Sequence, residues 1–300
     1  MVYNTLKTVK RKEYTVMIKD IITVSKGDWS ADICPRLGGN VIKLTYKGED
    51  VLRALTDEAE LKINPYLWGA PILMPANRTY EGKFVFEGNE YSLPINEPHF
   101  NCNLHGLVLY EEFETVSATE NEVTVMLTDP NCKSYPFPFR MTVTYTVTDE
   151  GLKSKYTVEN IGEGNMPMTF CTHTTFTEPK QFQVPIDLNQ ERDKFQIPTG
   201  RYVELSEQEK GYVTGSPSEG LYISGYFHSC GNTAIVGDYE YTVSDNFNHW
   251  IFYNGGGGKG YLCVEPQSGK VNGLNYADGY NLLRKGETIT FVTNIKRAQN

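Results

Sequence analysis

The sequence has little that marks export or membrane insertion. No stretch approaches the roughly 18 consecutive apolar residues of a membrane-spanning helix. The first 20 residues carry scattered basic side chains and no apolar core segment, so they do not resemble a signal peptide. We therefore expect a cytoplasmic protein that does not contact a membrane.

Cysteine is sparse, and its spacing does not fit a metal site or a redox motif. None of the cysteines forms a Cys-x-x-Cys pair or lies in a cluster with histidine. In a long chain expected in the cytoplasm, this pattern predicts free, mostly buried thiols and no metal centre. The six residues are Cys34, Cys102, Cys132, Cys171, Cys230 and Cys263.

Basic residues are outnumbered by acidic ones. The chain has 28 Lys and Arg against 37 Asp and Glu, which gives a formal net charge of −9. Basic patches hold nucleic acids and anionic membranes, so neither is an expected partner. No cluster of arginines is evident that would hold a phosphate. A neutral or cationic small molecule fits this composition better.

Helical patterns are scarce, and an apolar period of two dominates. Apolar residues in 139–147 alternate with threonines and Arg140, which predicts a strand with one buried face. A second alternating run at 152–158 follows Asp149-Glu150-Gly151, so 139–159 is predicted to form a hairpin. Further strands are predicted near 13–18, 40–46, 107–117, 122–128, 166–172, 221–227, 233–243, 249–253, 260–265 and 288–295.

These strands predict an all-β fold built as a large antiparallel sandwich or barrel. The helical candidates at 57–62 and 276–283 are too short to carry a fold. The glycine-rich run at 254–260 lacks the Lys-Ser/Thr ending of a phosphate-binding loop, so we expect a flexible loop there. No compositional linker divides the chain, and residues 1–300 are expected to form a single domain.

Four segments carry polar residues that could do chemistry. Arg78 lies in an apolar and turn-forming stretch, His105 precedes a predicted strand, and His173 ends another. Glu265 follows the apolar run YLCV, where a carboxylate is costly unless it is paired or faces a cleft. Taken singly, each residue could equally be a structural ion pair or a satisfied core residue. The segments are WGAPILMPANRTYEGKFVFEGNEYSL (68–93), NCNLHG (101–106), TFCTHTTF (169–176) and YLCVEPQSGKVNGLN (261–275).

The order and spacing of these four segments resemble the galactose mutarotase-like, or aldose 1-epimerase, superfamily. The long motif G-x-P-I-L-x-P-x-N-R, which begins at Gly69, is the most specific part. The resemblance implies a large antiparallel β-supersandwich with a sugar in an open cleft across one sheet. It also implies a single cleft that gathers residues from 78 to 265, and it favours one domain, as a monomer or a homodimer.

The resemblance further implies roles for individual residues. Glu265 would remove the proton of the anomeric hydroxyl, and His173 would protonate the ring oxygen. A carboxylate and an imidazole can hold opposite protonation states at neutral pH if proximity keeps the imidazole charged. No metal or organic cofactor is expected. The expected sugar contacts are Arg78, His105, Asn77 and Trp250, with Phe252 and Tyr253 as further aromatic candidates.

One departure from the family pattern concerns the substrate. Members often carry a cleft aspartate before the glutamate, whereas 221–230 contains none. Asp238 or Asp245 could replace it.

The first functional hypothesis is a mutarotase acting on a free hexose. The alternatives are an epimerase of hexose 6-phosphates, which needs additional arginines, a non-catalytic sugar-binding protein, and a glycosidase, which usually needs two carboxylates.

Overall fold

The computed structural model describes residues 18–299, and most of their regular structure is β-strand. In chain order the strands are β1 (Ile22–Lys26), β2 (Trp29–Cys34), β3 (Asn40–Tyr46), β4 (Glu49–Asp50), β5 (Ile72–Leu73), β6 (Arg78–Tyr80), β7 (Lys83–Phe86), β8 (Asn89–Ser92), β9 (Cys102–Leu104), β10 (Glu114–Ala118), β11 (Glu122–Asp129), β12 (Phe139–Val147), β13 (Gly151–Asn160), β14 (Met166–Met168), β15 (Phe170–Thr172), β16 (Thr175–Thr177), β17 (Phe182–Gln183), β18 (Ile186–Arg192), β19 (Pro198–Glu204), β20 (Ser224–Ser229), β21 (Thr233–Val236), β22 (Tyr239–Val243), β23 (His249–Tyr253), β24 (Tyr261–Ser268), β25 (Asn281–Leu283) and β26 (Thr288–Arg297).

Two large sheets carry the architecture. Sheet I has the strand order β10-β11-β12-β13-β26-β22-β21-β17. Sheet II has the order β19-β18-β20-β23-β24-β15-β5, and β16 also pairs with β24. All of these neighbours pair in the antiparallel sense, as do the four strands β1 to β4 of a smaller sheet. The predicted antiparallel all-β sandwich is confirmed.

The core lies between sheets I and II. The alternating apolar residues of β12 are fully buried, and Val147 pairs with Leu152 in the predicted hairpin. Aromatic rings meet across the gap, with Phe170 stacked on Phe291 at a centroid distance of 4.6 Å. Apolar burial of this kind supplies most of the folding free energy. The opposite face of sheet II is left to form a cleft.

Some predicted strand boundaries are wrong. In 107–117, residues Val108–Tyr110 form a 3₁₀ turn, and β10 begins only at Glu114. Val108 and Leu109 are both buried, and this consecutive burial does not fit an alternating strand. The run 233–243 contains two strands joined at Gly237. Apart from residue 18, the strand predicted at 13–18 lies outside the described residues.

The helical predictions also need correction. The segment 57–62 forms a short 3₁₀ helix, Glu58–Lys62. The helix predicted at 276–283 is absent: Gly279 lies in a turn, and β25 pairs with β14. An α-helix that was not predicted, α1 (Glu207–Thr214), begins at a capping box in which Ser206 and Glu209 bond each other's backbone. Further 3₁₀ helices are Pro98–Phe100 and Gly273–Asn275.

All six cysteines are free, and only Cys132 and Cys230 are exposed. The run 254–260 is a loop between β23 and β24. Within residues 18–299, none of the helices is both long enough and apolar enough to cross a bilayer.

Candidate active site

A cavity of about 400 Å³ opens on the face of sheet II that points away from sheet I. Such a volume suits a small ligand. Arg78, His105, His173 and Glu265 all line it, although they are far apart in the sequence. We call this cavity the cleft. Asn77 and Tyr253 also line it.

Glu265 and His173 are neighbours because of strand register. Thr175 pairs with Cys263, and continuing that antiparallel register by two residues brings His173 opposite Glu265. Directly opposed side chains on one face of a sheet are close enough to interact. The His173 Nε2 and Glu265 Oε1 atoms are 3.4 Å apart, and both side chains are almost fully buried.

Threonines hold the strand segment that carries His173. The hydroxyls of Thr172 and Thr174 lie 3.1 and 2.8 Å from the Tyr241 hydroxyl, which belongs to sheet I. Thr172 and Thr174 therefore face the core, and His173 between them faces the cleft, as strand alternation requires. This hydrogen-bonded cluster links the two sheets directly beneath the candidate catalytic pair.

Arg78 and His105 reach the cleft on a separate two-stranded ladder. Arg78 pairs with Leu104 in β6 and β9, and the His105 backbone N–H donates to the Asn77 carbonyl at 2.8 Å. The next residue, Gly106, has a φ of 65°, and a Cβ there would lie 2.2 Å from the Met74 carbonyl oxygen. Only glycine fits this position, which explains the glycine of the NCNLHG segment.

The same ladder is joined to the segment that follows β24. The Asn272 backbone N–H donates to the Arg78 carbonyl at 2.9 Å, and the Asn272 Oδ1 accepts from the Tyr80 N–H at 3.0 Å. Asn77 is buried, and its Oδ1 accepts from the Arg78 N–H at 3.0 Å. Backbone hydrogen bonds therefore fix the position from which Arg78 extends into the cleft.

Two residues that sequence reasoning missed orient the Arg78 guanidinium. Its Nη1 donates to the Tyr226 hydroxyl at 2.6 Å, and its Nη2 lies 3.0 Å from Glu97 Oε2. The guanidinium carbon lies 5.0 Å from the centre of the Phe100 ring. The Nε of Arg78 is buried without a partner and is one donor left for a ligand.

Besides Glu265, the carboxylate of Glu97 lines the cleft. The cleft therefore has a second acidic side chain, although it is not the aspartate that members of the family often carry. Asp238 pairs with Arg297, and Asp245 accepts from Asn232 at the surface. Neither aspartate lines the cleft, so neither replaces the family's aspartate. The signal for Glu97 was weak, because it lies in an irregular segment between two motifs.

Trp250 does not contact the cleft, and its prediction as a sugar contact is wrong. Its side chain is 1% exposed, its indole N–H donates to the Ser229 hydroxyl at 3.1 Å, and its ring packs on Tyr241 in the core. Successive residues of a strand point to opposite faces. Tyr253, by contrast, lines the cleft.

Tyr66 is an aromatic contact that the sequence did not reveal. Its ring centre lies 4.6 Å from that of His105 and 6.1 Å from that of His173. The two imidazole centres are 5.1 Å apart. The tyrosine therefore packs against both histidines and limits how their rings can turn.

Burial governs the protonation of these side chains. It raises the pKa of Glu265 well above its ordinary value, and the nearby Arg78 charge offsets only part of this increase. It lowers the pKa of His173 to about 3 and that of His105 well below its ordinary value. His173 is therefore neutral at pH 7 in the folded protein, contrary to the expectation that proximity keeps it charged.

Arg192 is a second cation in the cleft, where the sequence suggested no arginine cluster. Its guanidinium donates to the Ser224 carbonyl at 2.7 Å and to the Ser224 hydroxyl at 3.2 Å. Its centre lies 4.9 Å from that of the Tyr226 ring. No ion pair found within residues 18–299 includes it, so its charge is not neutralised by a neighbouring carboxylate.

Three potential metal ligands that sequence spacing did not indicate meet at the cleft, where His173 and Glu265 line the cavity and Cys263 is buried beside them. His173, Cys263 and Glu265 are all buried, and their ligand atoms lie within 4.8 Å of one another. Nitrogen, sulfur and oxygen donors of this kind suit zinc-like ions.

Comparison with known proteins identifies the family. The sequence matches the family profile described as aldose 1-epimerase over residues 20–296. It is 27% identical over 187 residues to YihR, an uncharacterized protein of Escherichia coli strain K12. It is 31% identical over 137 residues to galactose mutarotase of Rattus norvegicus. These alignments cover 59% and 43% of this chain, and they span only 59% and 38% of the two relatives.

Solved structures show the same fold. A galactose mutarotase-like protein from Clostridium acetobutylicum superposes with a TM-score of 0.84 at 23% identity, covering 92% of this chain and 94% of the other. For a putative aldose 1-epimerase from Escherichia coli K12 the TM-score is 0.79 at 19% identity, with 92% and 98% covered. The fold is thus the galactose mutarotase-like β-sandwich, and the profile match shows that the chain belongs to the aldose 1-epimerase family.

Proposed function

We propose that this protein is a mutarotase that interconverts the α and β anomers of a free hexose. The observation that carries the proposal is the buried pair of Glu265 and His173, 3.4 Å apart in a cavity of sugar size. Arg78 and His105 supply hydrogen-bonding groups for the sugar's oxygens. A protein that only binds a sugar has no need of such a proton-exchanging pair.

Ring opening transfers one proton from the sugar to Glu265 and another from His173 to the sugar. Ionised Glu265 takes the proton of the C1 hydroxyl while protonated His173 gives a proton to the ring oxygen, and the bond between C1 and the ring oxygen breaks. An aldehyde results, together with a neutral carboxyl and a neutral imidazole. Rotation about the C1–C2 bond and the reverse proton transfers close the ring as the other anomer.

Burial favours the ring-opening step. The neutral carboxyl and imidazole left by ring opening are the forms that burial stabilises, because burial raises the pKa of Glu265 and lowers that of His173. The charged pair is needed only while the closed sugar is bound, when its hydroxyls can hydrogen-bond to both groups. No metal or organic cofactor enters the sequence of steps.

Polarimetry of freshly dissolved α-glucose and α-galactose tests the proposal. We expect Glu265→Gln to abolish the enzymatic acceleration and to leave sugar affinity, measured by calorimetry, within about tenfold. Surface Asp245→Asn is the matched carboxylate-to-amide control and should keep full activity. Full activity in Glu265→Gln, or no acceleration of either sugar by the unmodified protein, would refute the proposal.

A sugar with an anionic substituent is the second candidate substrate, and Arg192 is the observation that favours it. A guanidinium without a carboxylate partner in the cleft can bind a phosphate through paired hydrogen bonds. We expect Arg192→Gln to reduce kcat/KM for a hexose 6-phosphate at least tenfold and to leave free hexose unaffected if this candidate is correct. Equal effects on both sugars would exclude it.

A further inference from the structure

We propose that the base of the cleft is a binding site for a thiophilic divalent cation such as Zn²⁺, held by His173, Cys263 and Glu265. We further propose that the bound ion blocks the sugar reaction. The inhibitory part rests on the proposed mutarotase function, whereas binding of the ion does not depend on it.

Strand register creates the site. Cys263 and Glu265 are two residues apart on β24, so both side chains lie on the cleft face, and His173 is opposite Glu265. The three ligand atoms lie within 4.8 Å of one another. Donors on one tetrahedral zinc lie roughly 3.3–3.8 Å apart, given bonds of about 2.0–2.3 Å, so side-chain shifts of about 1 Å suffice.

The three side chains make only weak hydrogen bonds in this structure, so they are available to bind an ion. The Cys263 sulfur has one hydrogen-bond partner, the Thr175 hydroxyl at 3.5 Å. The His173 Nδ1 has none, and the other ring nitrogen is 3.4 Å from the Glu265 carboxylate. Because His173 and Glu265 line the cleft, a fourth coordination position would face its open space.

The donor set selects the kind of ion. A thiolate and an imidazole favour Zn²⁺, Co²⁺ and similar ions, whereas Mg²⁺ and Ca²⁺ prefer oxygen donors throughout. A bound ion would occupy the Glu265 oxygen and the His173 nitrogen that must exchange protons with the sugar. Metal and sugar would therefore exclude each other.

Co²⁺ provides a direct probe, because a thiolate bound to it absorbs in the near ultraviolet. We use a background in which the exposed Cys132 and Cys230 are replaced by serine. One equivalent of Co²⁺ should produce the thiolate band, and Cys263→Ser should remove it. Cys171→Ser is the matched control, because this buried thiol lies 4.0 Å from Glu265 Oε2 but is not one of the three ligands.

Zn²⁺ affinity, measured against a chromophoric chelator, gives the second readout. We expect Cys263→Ser to weaken Zn²⁺ binding at least tenfold and to relieve Zn²⁺ inhibition of mutarotation, measured for each protein as the ratio of its activities with and without Zn²⁺. Absence of the cobalt band in the background protein, or equal Zn²⁺ affinity with and without Cys263, would overturn the proposal. If the protein proves inactive on sugars, the cobalt spectrum still decides whether the metal site exists.

Discussion

Glu265 lowers the stability of the folded protein because its carboxyl group is buried. In the unfolded chain its carboxyl ionises normally, whereas in the folded protein burial raises its pKa. Above the unfolded pKa of about 4.5 the folded state therefore binds more protons, and stability falls as the pH rises. The candidate catalytic carboxylate thus destabilises the fold at neutral pH.

We therefore predict that Glu265→Gln is more stable than the unmodified protein at pH 7, and that the difference grows as the pH rises above the unfolded pKa of about 4.5. The amide cannot ionise, so it has no charge to bury. Melting temperatures measured at several pH values test this. Glu163→Gln, at a carboxylate whose side chain is 88% exposed, is the control. A pH-independent difference would contradict the explanation.

His249 predicts the opposite dependence on pH. Its ring is buried, it lies 2.7 Å from the Tyr202 hydroxyl, and burial lowers its pKa to about 3. Between that value and the unfolded pKa of 6.5, the unfolded chain binds a proton that the folded protein does not. The stabilising effect of neutral His249 is therefore present above pH 6.5 and is lost as the pH falls.

When the pH falls from 7.5 to 5, we expect the contribution of His249 to lower the free energy of unfolding by about 2 kcal/mol. Urea titrations at the two pH values measure the loss, and His249→Gln should reduce it by that amount. Replacing the exposed His99 with glutamine should leave it unchanged. The same loss in the His249 variant and the unmodified protein would show that another group is responsible.

At this scale the sequence motif located Arg78, His105, His173 and Glu265, because each lies in a specific local pattern. Glu97, Tyr226 and Arg192 were missed because they reach the cleft only through pairing between distant segments. Trp250 was misassigned for a clear reason. Residues 249–252 are all buried, so alternation of polarity could not show which of them face the cleft.

At the scale of elements, turn geometry positions the histidine of the β6–β9 ladder. Gly106 and Gly48 both have positive φ, but only Gly106 is crowded, since nothing lies within 4 Å of a Cβ placed on Gly48. Alanine at either position meets the left-handed backbone penalty of about 1–2 kcal/mol. Only at Gly106 must the neighbouring chain also move.

We predict that Gly48→Ala lowers stability by about 1 kcal/mol and leaves kcat/KM for mutarotation unchanged. Gly106→Ala should lower stability further and reduce kcat/KM at least tenfold, because it displaces His105. Urea unfolding and polarimetry on both variants make the comparison. Unaltered activity in Gly106→Ala would show that the turn does not control the position of the histidine.

Strands with one polar face were predictable, and shorter or fully buried elements were not. β12 alternates along its whole length and β13 alternates from Leu152 onward, and both were located correctly. The segment before β25 has helix-compatible residues, but Gly279 and pairing with β14 override that preference. No helix was predicted at α1 because its apolar face is weak, although Ser206 and Glu209 have the three-residue spacing of a capping box.

At the scale of the whole molecule, we propose that residues 18–299 unfold as one cooperative unit. The two large sheets bury their inner faces against each other, and the Tyr241 cluster joins them beneath the cleft. Neither sheet can lose its partner without exposing that core. The four site residues also reach one cavity from segments spread across the chain.

Single-tryptophan variants can measure this cooperativity. Trp29 lies in β2 and packs on Tyr46 and Tyr239, whereas Trp250 lies in sheet II. Variants that retain only one of the two, with phenylalanine at the other tryptophan positions, should each unfold at one urea midpoint by fluorescence and circular dichroism. Different midpoints for the two probes within a single variant would indicate separately folding units.

The position of β26 has a consequence for synthesis in the cell. This strand lies inside sheet I, between β13 and β22, although it is made long after β13. Until residues 288–297 leave the ribosome, both neighbours present unpaired edges that can join other chains. Sheet I is therefore complete only when β26 inserts between these two edges.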